Sequence, residues 1–227
     1  APRRDDDAFA SYKNRNKAAL KNQELNPNVA FSDSIQAGIY MKHPRIIRIK
    51  ADMVDQMDYD KILSMYQDRF KDASDFTFIF VGNVDVEKMK PVIAEYLGAL
   101  PAVNRKETFK DNKIEMRQGI YKNEFTKQQE TPKASVFAFY NGDCKYDLRN
   151  NLLLSMTSQI LDLVYTEKVR EDEGGTYGVY VGGTLQKYPK EKAILQIIFD
   201  TAPEKKEKLM KIIFGEIDNI TKTGPSE

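Results

Sequence analysis

Residues 176–199 carry the sequence TYGVYVGGTLQKYPKEKAILQIIF, and this stretch sets the fold class. Its two ends are rich in β-branched and aromatic residues, whereas Tyr188-Pro189-Lys190 in the middle favours a turn. The pattern predicts two antiparallel strands, 176–185 and 192–199, joined as a hairpin. Upstream, residues 133–141 alternate as Val136-Phe-Ala-Phe-Tyr140, which predicts another strand.

A long helix is predicted between residues 133–141 and the hairpin. Asp147 is its candidate N-cap, it runs to about Glu173, and Gly174-Gly175 is a natural C-terminal stop. A last helix is predicted over residues 203–220. These elements predict an α+β fold, with a mostly antiparallel sheet covered by helices. The apolar positions at helical spacing in the long helix are Leu148, Leu152, Met156, Ile160, Leu163 and Val164.

The first part of the chain is predicted to be mainly helical. Helices are expected over residues 8–25 and 32–40, with Ser32 as the N-cap of the second. Two further helices are expected to begin after Asp58 and Asp85, whose side chains can accept hydrogen bonds from the first turn.

An extended segment is predicted between those two helices. Phe76-Thr-Phe-Ile-Phe-Val81 is aromatic and β-branched throughout, which is typical of a strand buried on both faces. Residues 102–112 are polar and lack periodicity, so they are the candidate linker, and residues 113–122 resemble a strand after it.

The composition excludes several classes of protein. The 227 residues carry 35 Lys and Arg against 34 Asp and Glu, a formal net charge of +1, so nucleic acid is not an expected partner. The longest apolar runs are a few residues, and no membrane insertion is expected. Cys144 is the single cysteine and His43 the single histidine, so a closed structural zinc site or a two-histidine catalytic zinc site cannot be built from this sequence.

Most candidate reactive residues have an ordinary structural interpretation. His43 precedes a proline in a polar stretch and is expected to be a surface or turn histidine. Cys144 lies near a predicted turn without a nearby base in the sequence. The glycine pairs Gly174-Gly175 and Gly182-Gly183 lack the spacing of a phosphate-binding loop and are expected to serve as a helix cap and a strand bend.

Arg170 and Tyr177 are the exception. The chain is predicted to reverse between them, so a guanidinium and a phenol could face one cleft, hold a peptide carbonyl and stabilise a developing oxyanion. On spacing alone, an ion pair of Arg170 with Glu173 and a half-buried Tyr177 explain the same residues.

The segment Arg170-Glu-Asp-Glu-Gly-Gly-Thr-Tyr177 resembles the R-E-x-x-x-x-x-Y segment of the pitrilysin/insulinase family of zinc metallopeptidases. The upstream resemblance is ordered in the same way and covers most of residues 58–220. It comprises Arg69-Phe70, then Phe80-Val-Gly-Asn-Val-Asp85, then Tyr96-Leu-Gly-Ala-Leu-Pro101. The family's H-x-x-E-H zinc motif, characteristic of inverzincins, has no counterpart in this sequence.

This resemblance implies a C-terminal-half region of such an enzyme with a LuxS/processing-peptidase-like metalloenzyme fold. Residues 1–104 would be the C-terminal part of one pitrilysin-like domain, and residues 105–227 most of the following one, truncated at its C-terminus. Arg170 would bind a substrate backbone carbonyl, and Tyr177 would donate to the substrate carbonyl or the tetrahedral oxyanion. No catalytic residue or metal ligand is expected in these 227 residues.

The resemblance also implies the partners. Zinc and the general base would lie in an N-terminal half of the same chain, which would close a peptide-binding chamber with this half. The resemblance to bacterial single-chain members suggests export to the periplasm. The family also includes subunits without peptidase activity, so a non-catalytic scaffold or interaction subunit is the alternative function.

Overall fold

The computed structural model describes residues 2–171 and 178–224, with the backbone alone at Arg170 and Glu171. Its main helices and strands are α1 (Asp6–Glu24), α2 (Pro27–Ile39), α3 (Tyr59–Phe70), α4 (Val86–Tyr96), β1 (Ala134–Asp143), α5 (Leu148–Tyr165), β2 (Val179–Gln186), β3 (Lys192–Thr201) and α6 (Lys206–Thr223). Short 3-10 helices cover Ala51–Gln56 and Pro203–Lys205, and a π-helical segment, Thr166–Glu171, follows α5.

The chain forms two compact units. Unit 1 comprises residues 1–33 and 43–115, and unit 2 comprises residues 34–42 and 116–227. Unit 1 contains α1, α3 and α4, whereas the strands and the two C-terminal helices belong to unit 2.

Unit 2 is built on a three-stranded antiparallel sheet in the order β1-β3-β2. Phe199 of β3 lies in register with Val136 of β1 on one side and with Val179 of β2 on the other. The predicted hairpin is therefore confirmed for the described residues, with β2 beginning at Val179. The predicted start at residues 176 and 177 lies outside the described part of the chain.

The core of unit 2 lies between the sheet and two helices. It joins side chains from α5 and the segment that follows it, from β2 and β3, and from α6, and its buried members are Leu161, Tyr165, Val169, Val179, Val181, Ile197, Phe199, Leu209 and Ile213. The strand members alternate along β2 and β3, so they share one face of the sheet. The predicted α+β architecture, antiparallel strands covered by helices, is confirmed.

The buried face of α5 differs from the predicted one. Leu148, Leu152 and Met156 are exposed, and burial instead follows the stripe Leu161, Tyr165 and Val169 in the C-terminal half of the helix and beyond it. Apolar side chains occur on more than one face of this helix, so only its contact with the sheet selects the buried one.

Three predicted helix starts are confirmed by their caps. The carboxylates of Asp58, Asp85 and Asp147 each accept a hydrogen bond from the backbone N–H three residues later, at 3.0, 3.2 and 2.8 Å. Such local bonds satisfy an orphan donor of the first turn, and this is why they can be read from the sequence.

The start of α2 was predicted wrongly. The helix begins at Pro27 and not after Ser32, because Asn26 accepts a hydrogen bond from the backbone N–H of Asn28 at 2.9 Å. Proline is favoured in the first helical position, where its missing N–H would have no partner. The same Asn-Pro-Asn sequence that ends α1 therefore begins α2.

Two predicted strands do not form. Phe76–Val81 is paired with no strand of the described chain, and its apolar side chains are exposed rather than buried on both faces. Residues 113–122 likewise lie in a long irregular segment between α4 and β1. A strand needs a neighbour to satisfy its backbone groups, and for these segments the described residues provide none.

Candidate functional site

The two predicted substrate-binding residues belong to the connection between α5 and β2. Arg170 lies in the π-helical segment Thr166–Glu171, and its side chain is outside the described part of the structure. Tyr177 and the glycine pair Gly174-Gly175 also lie outside the described residues. The structure describes the residues on either side of this connection and the contacts that hold them.

Both ends of the connection are anchored in the core of unit 2. Val169 precedes Arg170 and is fully buried, and Val179, two residues after Tyr177, is also buried. Both belong to one hydrophobic cluster, so the described residues on either side of this connection are held in the same core. This fixes the two backbone positions between which Arg170 and Tyr177 lie.

A buried tyrosine ties the start of this segment to α6. The Tyr165 hydroxyl donates a hydrogen bond to the carbonyl of Ile213 at 2.9 Å, and both residues are fully buried. Burial raises the pKa of Tyr165, and the nearby Tyr140 and Glu216 raise it further, so the phenol stays protonated and can act as the donor.

An ion pair links the same two elements. Lys168 Nζ lies 2.7 Å from Glu216 Oε1, and the Asn219 side-chain amide donates to the same oxygen at 3.2 Å. Glu216 is largely shielded from solvent, which makes this pair less screened than a fully exposed one. Lys168 and Tyr165 therefore hold both turns that lead to Arg170 against α6.

Close packing of α5 on β2 depends on Gly183. A Cβ atom at this position would lie 2.3 Å from Ser158 Oγ and 2.9 Å from Leu154 Cγ. Ser158 is buried and donates its hydroxyl to the Leu154 carbonyl at 2.7 Å. The missing side chain lets α5, which leads into the segment with Arg170, approach β2.

The residues that build this setting were not singled out from the sequence. Tyr165 and Val169 follow Leu161 at intervals of four, a spacing that could have marked them as one helix face. The contact of Gly183 with Ser158 joins residues far apart in the chain, and no local pattern indicates it.

The remaining candidate residues have structural partners. His43 Nδ1 accepts a hydrogen bond from the Arg45 backbone N–H, and Nε2 lies 3.2 Å from the Asn112 carbonyl, so both ring nitrogens are engaged within unit 1. Cys144 is half-buried at the end of β1, with its sulfur 3.9 Å from the Lys145 carbonyl.

Across residues 2–171 and 178–224, no three His, Cys, Asp or Glu side chains come together as a group that could hold a metal. The single histidine is engaged by Arg45 and Asn112 within unit 1. Over the same residues, no helix is both long and apolar enough to cross a bilayer.

Comparison with known proteins shows which family this chain is similar to. The family model described as the peptidase M16 inactive domain matches residues 56–227. The probable zinc protease PqqL of Escherichia coli strain K12 is 24% identical over 210 residues, which cover 91% of this chain and 22% of that protein.

Two solved structures share the fold. The periplasmic protease PqqL from Escherichia coli superposes with a TM-score of 0.73 at 20% identity, over 98% of this chain and 24% of that one. The ferredoxin protease FusC in complex with Arabidopsis ferredoxin superposes with a TM-score of 0.72 at 16% identity, over the same shares. The chain thus spans about a quarter of the length of these relatives.

The family match extends over most of the chain and includes the whole sheet, both covering helices and the segment with Arg170 and Tyr177. It agrees with the resemblance inferred from the sequence motifs. The chain belongs to the peptidase M16 inactive domain family.

Proposed function

We propose that this chain is a C-terminal-half portion of a zinc-dependent metalloendopeptidase. It forms half of a peptide-binding chamber and binds substrate, while zinc and the general base belong to the N-terminal half of the same protein. The proposal rests on the family match and on the connection between α5 and β2. The residues at both ends of this connection are fixed in the core of unit 2. The similarity to a probable zinc protease about four times as long supports the assignment of zinc binding to another part of the protein.

Arg170 and Tyr177 supply the substrate contacts in this proposal. The Arg170 guanidinium donates to a backbone carbonyl of the peptide, and the Tyr177 hydroxyl donates to the scissile carbonyl or to the oxyanion that forms from it. Donors held in place before the reaction stabilise developing charge without having to reorganise. The ties of Tyr165 and Lys168 to α6 support such a role, because they fix the backbone just before Arg170.

The remaining parts of the proposal concern the whole protein. Residues 1–104 are the end of one pitrilysin-like domain, and residues 105–227 are most of the next. The substrate is a peptide or an extended segment of a protein, consistent with the ferredoxin protease among the structural relatives. The protein is exported to the periplasm, as is the PqqL protease with the same fold.

Two substitutions in the full-length protein test the proposal. Tyr177→Phe should lower kcat for a peptide by about 10²- to 10³-fold, as removal of a single oxyanion donor does, and Arg170→Ala should lower kcat/KM through the lost contact with the peptide backbone. Zinc content should stay unchanged. Arg149→Ala and Tyr188→Phe, at exposed positions of α5 and the β2–β3 turn, are the matched controls and should retain full turnover.

The same experiment distinguishes the alternative function. A non-catalytic scaffold or interaction subunit would show no chelator-sensitive hydrolysis in the full-length protein, with or without these substitutions. Wild-type kinetics in both variants of an active protein would assign Arg170 and Tyr177 a structural role instead.

A further inference from the structure

The helix that leads to Arg170 changes its winding near its end. The α-helical part of α5 ends at Tyr165, and Thr166–Glu171 continue it as a π-helical segment. Such segments are rare and occur frequently at functional sites. Three core residues, Leu161, Tyr165 and Val169, follow this helix at intervals of four, and they are 2%, 0% and 0% exposed.

The wider π-helical turn keeps Val169 in the core. In an α-helix, four residues exceed one full turn by about 40°, so two such steps would carry Val169 about 80° around the helix from Leu161. A π-helical turn takes more residues, because its hydrogen bonds span five positions instead of four, and it offsets part of this drift. Val169 thereby stays in the same hydrophobic cluster as Leu161 and Tyr165. The winding of this segment therefore sets the backbone position of Arg170, the next residue.

Glu216 of α6 holds this turn at its polar side. Its Oε1 atom lies 2.7 Å from Lys168 Nζ and accepts a further hydrogen bond from the Asn219 side-chain amide at 3.2 Å. The Glu216 side chain is 14% exposed, so solvent and salt screen this ion pair less than a fully exposed one. Because Lys168 immediately precedes Val169, the ion pair fixes the π-helical turn directly before its contact with the core.

We propose that Glu216 is a positioning residue for peptide binding, and that it acts on Arg170 through Lys168. This inference rests on the proposed function, which assigns Arg170 to the peptide backbone. Glu216 holds the π-helical turn in one register, and this register fixes the backbone from which Arg170 reaches the peptide. A segment that is ordered before binding loses less conformational freedom when the peptide arrives, so the ion pair raises the affinity for the peptide.

A direct contact between Glu216 and the peptide explains the structure less well. The Oε1 atom of Glu216 already accepts from two side chains, Lys168 and Asn219. A basic side chain of the peptide would have to displace these partners, and the carboxylate is largely shielded from solvent. The contacts of Glu216 therefore indicate a role within the protein, exerted on the segment that carries Arg170.

Peptide binding by the zinc-free full-length protein tests this assignment without turnover. The probe is a fluorescein-labelled unfolded peptide, whose fluorescence anisotropy gives Kd. We expect Glu216→Ala to raise Kd about tenfold, which is less than the ~100-fold loss that a misplacement of about 1 Å can cause. Glu216→Gln keeps an oxygen that can accept from Lys168, so it should bind the peptide more tightly than Glu216→Ala does. Glu207→Ala is the matched control, because this exposed α6 carboxylate also pairs with a lysine, Lys206, and its loss should leave Kd unchanged.

A double-mutant cycle shows whether Glu216 acts through Arg170. If it does, Glu216→Ala should raise Kd about tenfold in the wild-type protein but less than about twofold in the Arg170→Ala variant, because the residue that it positions is gone. A role confined to stability would weaken binding by the same factor in both backgrounds. Urea denaturation of each variant verifies that the samples used for binding are folded.

The outcomes separate this inference from the proposed function. An unchanged Kd in Glu216→Ala, or equal losses of affinity in both backgrounds, would overturn the inference. Chelator-sensitive hydrolysis is measured separately on the zinc-loaded protein. Coupled losses of binding without hydrolysis would uphold the positioning role and count against the proposed peptidase, whereas hydrolysis that Arg170→Ala impairs and Glu216→Ala leaves unchanged would do the reverse. No peptide binding by the wild type, or a wild-type Kd for Arg170→Ala, would overturn both.

Discussion

The hydroxyl of Tyr165 donates a buried hydrogen bond to the main-chain carbonyl of Ile213, across 2.9 Å. This bond joins Tyr165, the last residue of α5, to the middle of α6. Tyr165 lies five residues before Arg170. It acts with the ion pair between Lys168 and Glu216, one turn further along. Together these contacts hold the backbone that leads to Arg170 against the core of unit 2.

Removing the Tyr165 hydroxyl should weaken the fold measurably. Tyr165→Phe leaves the ring in place but deprives the Ile213 carbonyl of its donor, and we expect the free energy of unfolding to fall by about 1 kcal/mol. Urea denaturation measures the change. Tyr188→Phe, at an exposed position of the β2–β3 turn, is the control and should change stability by less than about 0.5 kcal/mol. Equal stabilities of the Tyr165→Phe variant and the wild type would contradict this role of the hydroxyl.

The contact between α5 and β2 gives a second prediction. Gly183→Ala would place a methyl group 2.3 Å from Ser158 Oγ and 3.1 Å from the Leu154 carbonyl oxygen, so the helix must shift away from the strand. We expect a loss of about 1–3 kcal/mol in the free energy of unfolding, as for overpacking of a core.

Gly142→Ala in β1 is the matched control for this change, because no atom lies within 4 Å of its ideal Cβ position. Thermal unfolding of both variants compares them directly. Equal stabilities of the Gly183→Ala and Gly142→Ala variants would contradict the close approach of α5 to Gly183.

We expect the ionisation of Asp72 to make the stability of the surrounding loop in unit 1 depend on pH. Its buried carboxylate accepts hydrogen bonds from the backbone N–H groups of Ser74, Val103 and Arg105 at 3.0, 3.0 and 2.7 Å. Burial alone would raise the pKa of Asp72, but the bonds from Arg105, Ser74 and Val103 outweigh it and hold the pKa well below its usual range.

A carboxyl whose pKa is lower in the folded state stabilises that state above the ordinary pKa of about 4, and this contribution is lost as the pH falls further. We therefore expect the protection of the Val103 and Arg105 amides against hydrogen exchange to fall by up to about tenfold per pH unit below pH 4. Asp72→Ala should abolish this dependence, whereas Asp75→Ala, at an exposed neighbouring position, should preserve it. Protection that does not vary with pH in the wild type would show that the carboxylate does not hold this loop.

The sequence predicted those parts of the fold that depend on local contacts. The N-caps Asp58, Asp85 and Asp147 act within one helical turn, and the β-branched and aromatic residues of β1, β2 and β3 identify these segments as strands. The Arg170 and Tyr177 assignment came from the family resemblance, since spacing alone also allowed an ion pair and a half-buried ring.

The sequence could not predict features set by distant contacts. Phe76–Val81 has the composition of a central strand, but whether it pairs depends on residues that are not its neighbours in the chain. The inner face of α5 was misplaced for the same reason, because Leu148 and Leu152 are as apolar as Leu161 and only the sheet distinguishes them. Pro27 was not predicted as the start of α2, although proline is favoured in the first position of a helix.

Chelator-sensitive peptide hydrolysis, measured in parallel on the full-length protein and on residues 1–227 alone, tests the central claim most directly. The full-length protein should bind zinc and cleave an unfolded peptide in a reaction that a chelator stops, while residues 1–227 alone should do neither. Chelator-sensitive cleavage by residues 1–227 alone, or none by the full-length protein, would contradict the claim that this chain is the substrate-binding half of a zinc peptidase.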